Sequence, residues 1–165
     1  MVWQKGRGVG VSRKLRRRHG ERGQEEEVVA ATASLHLGIE VPDSRFEDFS
    51  IVGAPQLIAD NACTEFFVFG AAVSESWRDL DLASHQISVA INGETAAEGT
   101  GANVLGDPRL ALAWLANDRV TQGAPLRAGE IITTGTCIVP AAIGPGDYVV
   151  ADFGALGCIS LQFTA

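Results

Sequence analysis

Apolar positions along this chain fall mostly into short alternating or continuous runs, and only twice into helical spacing. The first helical stretch follows three acids. Glu25, Glu26 and Glu27 precede Val28, Val29, Ala30, Ala31 and Ala33, and carboxylates in a first turn complement the helix dipole. A helix is therefore predicted from Glu25 until Gly38 ends it. Ile39 to Val41 then reads as a short strand entering Pro42-Asp43-Ser44-Arg45. Positions 66–73 form a continuous apolar run of buried-strand length. Ile87, Val89 and Ile91 alternate with polar or small residues, and Asn92-Gly93 follows, a strong hairpin signal. The second helix is predicted over 108–123. Asp107 serves as its N-cap, Pro108 fits the first helical position, and Gly123 closes it. Strand patterns return at 130–139, 148–153 and 158–163, punctuated by Gly144, Gly146, Gly154 and Gly157. The fold class expected is α+β and β-rich, with one helix before the first strand and one in mid-chain.

Length and composition narrow the class. The 165 residues suffice for one substantial core, and 46% hydrophobic with 20% charged residues describes a folded chain. No apolar run approaches the ~18 residues that cross a bilayer, and the arginine-rich start lacks the apolar stretch of a secretory signal. Cys63, Cys137 and Cys158 have neither metal-type spacing nor an even disulfide count, which points to a reducing cytoplasm. The net charge of −7 hides a division: residues 1–24 carry +7 and residues 25–165 carry −14. Residues 1–24 are expected to be a basic, disordered leader, with an arm touching RNA or lipid as the alternative. Residues 25–165 are expected to form the single domain. Its acidity argues against nucleic acid as substrate, and it contains no lysine. No membrane partner is expected.

No nucleophile elbow, zinc helix or phosphate loop is present. His19, His36 and His85 lie far apart in sequence and are read as structural or solvated. Two polar stretches stand out. Ile39-Glu40-Val41-Pro42-Asp43-Ser44-Arg45 sets a carboxylate inside an apolar strand, where burial without a partner is costly. Glu40 could pair with Arg45, or it could offer oxygen to a hard cation. The second stretch is Ala59-Asp60-Asn61-Ala62-Cys63.

These two stretches together resemble the 2-oxopent-4-enoate hydratase and 4-oxalocrotonate decarboxylase family, within the fumarylacetoacetate hydrolase superfamily. The likeness continues through Asn92-Gly93-Glu94, Gly99-Thr100-Gly101, Val104-Leu105-Gly106-Asp107-Pro108 and Ala113-Trp114-Leu115-Ala116-Asn117. It ends with Gly129-Glu130-Ile131-Ile132-Thr133-Thr134-Gly135-Thr136 and Phe153-Gly154-Ala155-Leu156-Gly157. Each motif alone is weak; in this order, over 25–165, they are specific.

The resemblance implies the mixed β-roll of the superfamily's C-terminal type and a cytoplasmic homo-oligomer acting on a small 2-oxo acid. It implies a hydro-lyase of aromatic catabolism that adds water to an unsaturated 2-oxo acid. The decarboxylase is the same-class alternative, and a non-catalytic binding or assembly module is the other. It also implies Mg²⁺ or Mn²⁺ held by three carboxylates, acting as a Lewis acid. Glu40 matches one of these ligands. Asp60, Asn61 and Thr136 match the family's cleft-lining, catalytic positions. The other two ligands belong to a Glu-x-Glu motif well upstream of Glu40, and the window around Arg7-Gly8-Val9 holds no acid. Glu25-x-Glu27 has the pattern but is read as a helix N-terminal charge cluster. With two of three carboxylates missing, this chain is expected to be a poor catalyst.

Overall fold

The computed structural model describes residues 1–6 and 22–164. Its first element is a strand, β1 (Val2–Lys5), which lies between two others in a sheet. It is followed by α1 (Arg22–Ala31) and β2 (Thr32–Pro42), then α2 (Ala54–Ala59) and β3 (Thr64–Ala72). The hairpin β4 (Gln86–Ile91) and β5 (Glu94–Thr100) leads to the long helix α3 (Pro108–Thr121). Three strands finish the chain: β6 (Ile131–Thr133), β7 (Tyr148–Asp152) and β8 (Cys158–Gln162). The strands form two four-stranded sheets, ordered β3-β2-β1-β6 and β5-β4-β7-β8. Their pairings are antiparallel throughout.

The β-rich α+β expectation is met, with local corrections: a strand precedes the first helix, and α2 joins the two helices expected. Residues 2–5, read as leader, are instead a central strand: Trp3 is fully buried, and Val2 pairs with both His36 and Thr133. Four residues give no period of their own, so partners distant in sequence decide the conformation. Residues 22–24, also read as leader, begin α1, and residues 7–21, with His19 and the Arg7 window, lie outside the described residues.

The first helix stops at Ala31, not at Gly38. Thr32, Leu35 and Leu37 are buried along β2, which pairs with β1 on one side and β3 on the other. Two ladders outweigh the modest helix preference of an Ala-Ser-Leu stretch. Arg78 caps the shortened helix. Its guanidinium donates to the carbonyls of Val29 (2.8 Å) and Thr32 (2.9 Å) and lies 4.3 Å above the Trp77 ring. Arg78→Ala leaves those carbonyls unmet, and a loss of about 2 kcal/mol is expected in urea unfolding. A midpoint unchanged from wild type would show that water replaces the guanidinium without cost.

A further correction concerns 66–73. This run is an edge strand, not a buried one: Phe66 is 60% exposed and Phe69 41%. The core lies elsewhere. Trp3, Leu35, Leu37 and Ile132 of the first sheet pack with Val28 of α1 and with Leu112, Ala113 and Ala116 of α3. Asp107 caps α3 as predicted, accepting from the Arg109 backbone N–H at 2.8 Å. The strand expected over 130–139 ends at Thr133. Gly135, at φ +105°, turns the chain into a long loop before β7.

Candidate functional site

A cleft of about 560 Å³ opens between the two sheets. The first sheet supplies Val2, the segment from Gly38 to Pro42, Phe67 and Thr133. The second supplies Ile87, Val89 and Ile91 of β4, with Val149 and Ala151 of β7. Residues 135–143 close one side, and Phe153 and Phe163 complete the lining.

Alternation explains the two walls. Ile87, Val89 and Ile91 are two apart and share one face of β4, while Val89 pairs with Ala151 and Ile91 with Val149. Glu40 lies on β2, paired with Phe67, and is exposed. It does not take Arg45 as partner. Arg45 bonds Asp60 at 3.2 Å, so the ion-pair alternative for Glu40 is set aside.

The sequence-derived candidates divide into two groups. Glu40 and Thr136 both line the cleft. The Thr136 hydroxyl donates to the Ile138 carbonyl (2.9 Å) and accepts from its N–H (3.3 Å), so it shapes the loop it sits on. Asp60 and Asn61 are not among the cleft-lining residues; they lie at the outer end of β2. Asp60 is buried and accepts from Ser44 Oγ (2.7 Å), the Arg45 backbone N–H (3.3 Å) and Arg45 Nη1 (3.2 Å). It holds the turn that follows Glu40. Asn61 is exposed and begins a run of three left-handed residues, at φ 52°, 54° and 62° through Cys63. Such a run of non-glycine residues is strained. The Asp43 N–H, bonded to the Cys63 carbonyl at 2.9 Å, ties it to the same turn.

Gly99 sets the loop on the other side. A Cβ on Gly99 would sit 2.0 Å from the Cys137 carbonyl oxygen, which also accepts from Asn103 Nδ2 at 2.7 Å. The Gly-Thr-Gly stretch therefore lets two backbones touch behind the cleft.

Cys137 lines the cleft, and burial pushes its thiol pKa up from the ordinary value. Burial likewise lowers the pKa of the Met1 α-amino group beside it. Cys63 is also buried, whereas Cys158 is exposed. A disulfide-forming reagent at neutral pH is expected to modify Cys158 first, with Cys63 and Cys137 reacting only as the protein opens. Three equal fast reactions would contradict these placements.

The resemblance implies a divalent cation, and its fit depends on the oxygen donors the cleft offers. A hard cation takes about six oxygens, several of them anionic. Among the described residues no three His, Cys, Asp or Glu side chains are grouped to hold a metal. Glu40 is the one carboxylate lining the cleft, so the described residues do not fit a resident cation. Lys5 is not a cleft residue either; with Trp3, Val28 and Leu112 it borders a small apolar pocket elsewhere. His36 bonds the Gly70 carbonyl at 2.9 Å, and His85 bonds that of Phe153 at 2.6 Å. No helix among the described residues is long and apolar enough to cross a membrane.

The hydrophobic cleft wall was missed in the sequence. The alternation at 87–91 marks a strand with one apolar face, but it cannot say whether that face meets a core or a cavity. Comparison with known proteins adds lineage. The family described as "Fumarylacetoacetate (FAA) hydrolase C-terminal" matches residues 8–164. The chain is 37% identical over 138 residues to a 2-keto-4-pentenoate hydratase of Burkholderia vietnamiensis, covering 84% of this chain and 52% of that protein. It is 38% identical over 141 residues to a 2-hydroxyhexa-2,4-dienoate hydratase of Comamonas testosteroni, with coverages of 84% and 52%. The 4-oxalocrotonate decarboxylase of Pseudomonas putida G7, solved with magnesium and adipate, superposes with a TM-score of 0.78 at 30% identity. That match covers 98% of this chain and 57% of the decarboxylase. The chain thus spans about half the length of the curated relatives it matches.

Proposed function

From the premise that the chain belongs to the fumarylacetoacetate hydrolase C-terminal family, we propose that it is a hydro-lyase of the 2-keto-4-pentenoate hydratase type. The substrate would be a small unsaturated 2-oxo acid of aromatic catabolism. The observation that carries this reading is the cleft itself, with one carboxylate, Glu40, among its described lining residues, on the wall that faces Ile87, Val89 and Ile91. Hydration of a 2-oxo-4-enoate breaks the C4–C5 π bond and one O–H bond of water, and forms a C–O bond at C4 and a C–H bond at C5. In this reading Glu40 holds or moves the proton, which requires its turn to stay fixed. Asp60 fixes that turn through Ser44 and Arg45, and Asn61 belongs to the strained run behind it. Thr136 shapes the opposite loop. The apolar wall excludes bulk water from the reacting carbons.

The magnesium of the Pseudomonas putida structure supports a divalent cation, Mg²⁺ or Mn²⁺, as cofactor of this lineage. With one carboxylate in the cleft, slow turnover by this chain alone is expected. The decarboxylase remains the second reading, favoured by the same superposition. A non-catalytic binding or assembly module is the third, favoured by the sparse donor set. Three unpaired cysteines support a cytoplasmic setting. Phe66, Val68 and Phe69, exposed on the edge strand β3, support a homo-oligomer. Light scattering that finds a monomer at high concentration would count against the last point.

The chain is to be incubated separately with 2-hydroxypenta-2,4-dienoate and 2-hydroxymuconate in Mg²⁺. Hydration of the first alone is the expected result. Carbon dioxide released from the second alone would replace the hydratase with the decarboxylase, and inertness to both would leave the binding module.

A further inference from the structure

The geometry points to a second catalytic centre on the first sheet, a Ser34–His36 dyad that hydrolyses small acyl esters by way of an acyl-serine. It is independent of the hydratase reading, since neither residue lines the cleft between the sheets. Ser34 and His36 are two apart on β2 and share one of its faces, and Gln4 of β1 pairs directly with Ser34. Both β2 residues are partly exposed. The Ser34 Oγ lies 2.8 Å from His36 Nε2 and 3.2 Å from Gln4 Oε1. On the other side of the ring, His36 Nδ1 lies 2.9 Å from the Gly70 carbonyl oxygen.

A slip in the β2–β3 ladder makes that last contact. His36 pairs with Ala72 but Gly38 pairs with Phe69, which leaves Gly70 without a register partner. Its carbonyl meets the imidazole instead. A carbonyl can only accept, so Nδ1 carries the hydrogen, and in the neutral ring Nε2 offers its lone pair to the Ser34 hydroxyl. A nucleophile, its base and a group that orients the base are thus in line. The hydroxyl has one hydrogen. Given to His36, it leaves Gln4 to turn its amide NH₂ toward Ser34, where that group can donate to an oxyanion. Phe69, 41% exposed, stands edge-to-face with the His36 ring at 5.7 Å between centroids and gives an aryl leaving group an apolar rest.

The reaction balances with ester and water alone. Ser34 Oγ bonds the ester carbonyl carbon and gives its proton to His36 Nε2. The bond to the leaving alcohol breaks, and the alcohol departs with that proton. Water then bonds the acyl carbon and passes a proton to Nε2, and Ser34 leaves by taking it back. A neutral carbonyl orients the ring without the charge of a carboxylate, so slow turnover is expected.

The test uses the full chain with Cys158→Ser, which removes the exposed thiol that would itself take acyl groups. Its reaction with p-nitrophenyl acetate should slow by about tenfold or more in Ser34→Ala and in His36→Gln. Peptide mass spectrometry should find the acetyl group on Ser34. Should either variant fail to fold, diisopropyl fluorophosphate makes the same test on the unsubstituted chain, where its label should map to Ser34. A Ser34→Ala rate equal to that of its parent would leave His36 acting alone and overturn the dyad. Acyl or phosphoryl groups found only on other residues, or no reaction above buffer, would overturn it equally.

Discussion

Gly101→Ala is expected to lower the thermal midpoint by about 10 °C or more. Gly101 is buried, and a Cβ there would stand 1.8 Å from the Leu82 carbonyl oxygen and 2.9 Å from its carbon. The obstacle is backbone, not a side chain that can rotate away. Leu82 is itself fully buried, and the Gly101 N–H is bonded to the His85 carbonyl at 3.1 Å, so neither strand of chain is free to retreat. Overpacking of ordinary side chains costs about 1–3 kcal/mol, and a fixed carbonyl puts this case above that range. Gly99→Ala meets the Cys137 carbonyl in the same way. It should cost similar stability and also displace the loop that carries Thr136. A calorimetric scan of both variants checks the pair. An unchanged midpoint for Gly101→Ala would mean that the 82–85 and 99–103 segments do not approach as described.

Asp60→Ala should cost about 2–3 kcal/mol, whereas Arg45→Ala should cost less than about 1 kcal/mol. The asymmetry follows from burial. In the Asp60–Arg45 pair the arginine side chain is 78% exposed and the aspartate 3%. Loss of the arginine removes one partner that water already screens. Loss of the carboxylate leaves the Ser44 hydroxyl and the Arg45 N–H without their acceptor. The Ser44 Oγ also accepts from the Phe46 N–H at 3.1 Å, so the whole turn after Glu40 loosens. Asp60→Asn retains one acceptor oxygen and should fall between the two alanine variants. Urea unfolding of the three proteins gives the order. Equal costs for Asp60→Ala and Arg45→Ala would show that the ion pair, not the buried hydrogen bonds, carries the stability.

What could be read in the amino-acid pattern is what local chemistry decides. Asp107-Pro108 starts α3 because a carboxylate cap and a proline act within one turn. Asn92-Gly93 turns β4 into β5 because both residues tolerate positive φ, here 54° and 87°. β7 and β8 follow from alternation bounded by glycine. What could not be read depends on distant partners. β1 exists only through β2 and β6, and Thr32 to Leu37 is a strand because ladders flank it on both sides. The apolar run at 66–73 looks buried until the sheet order places it at an edge.

The site divides along the same line. Glu40 could be named from its setting among Ile39, Val41 and Pro42, whereas Asp60 and Asn61 were named only through the family resemblance. Their separation into a cleft residue and the anchor of a turn needed coordinates. So did the discovery that Arg45 belongs to Asp60. The apolar wall was invisible as a wall, since a strand face that lines a cavity has the same alternation as one that lines a core.

The central claim is that the cleft between the two sheets, with Glu40 on its first-sheet wall, is where a small 2-oxo acid is bound and hydrated. Its most direct test is the rate of product formation from 2-hydroxypenta-2,4-dienoate, followed by proton NMR, for wild type and Glu40→Gln. Glutamine keeps the shape of the side chain and removes its capacity to exchange a proton. The account predicts slow hydration by the wild type and a loss of about a hundredfold or more in Glu40→Gln. Equal rates for the two proteins, both above the uncatalysed background, would contradict it.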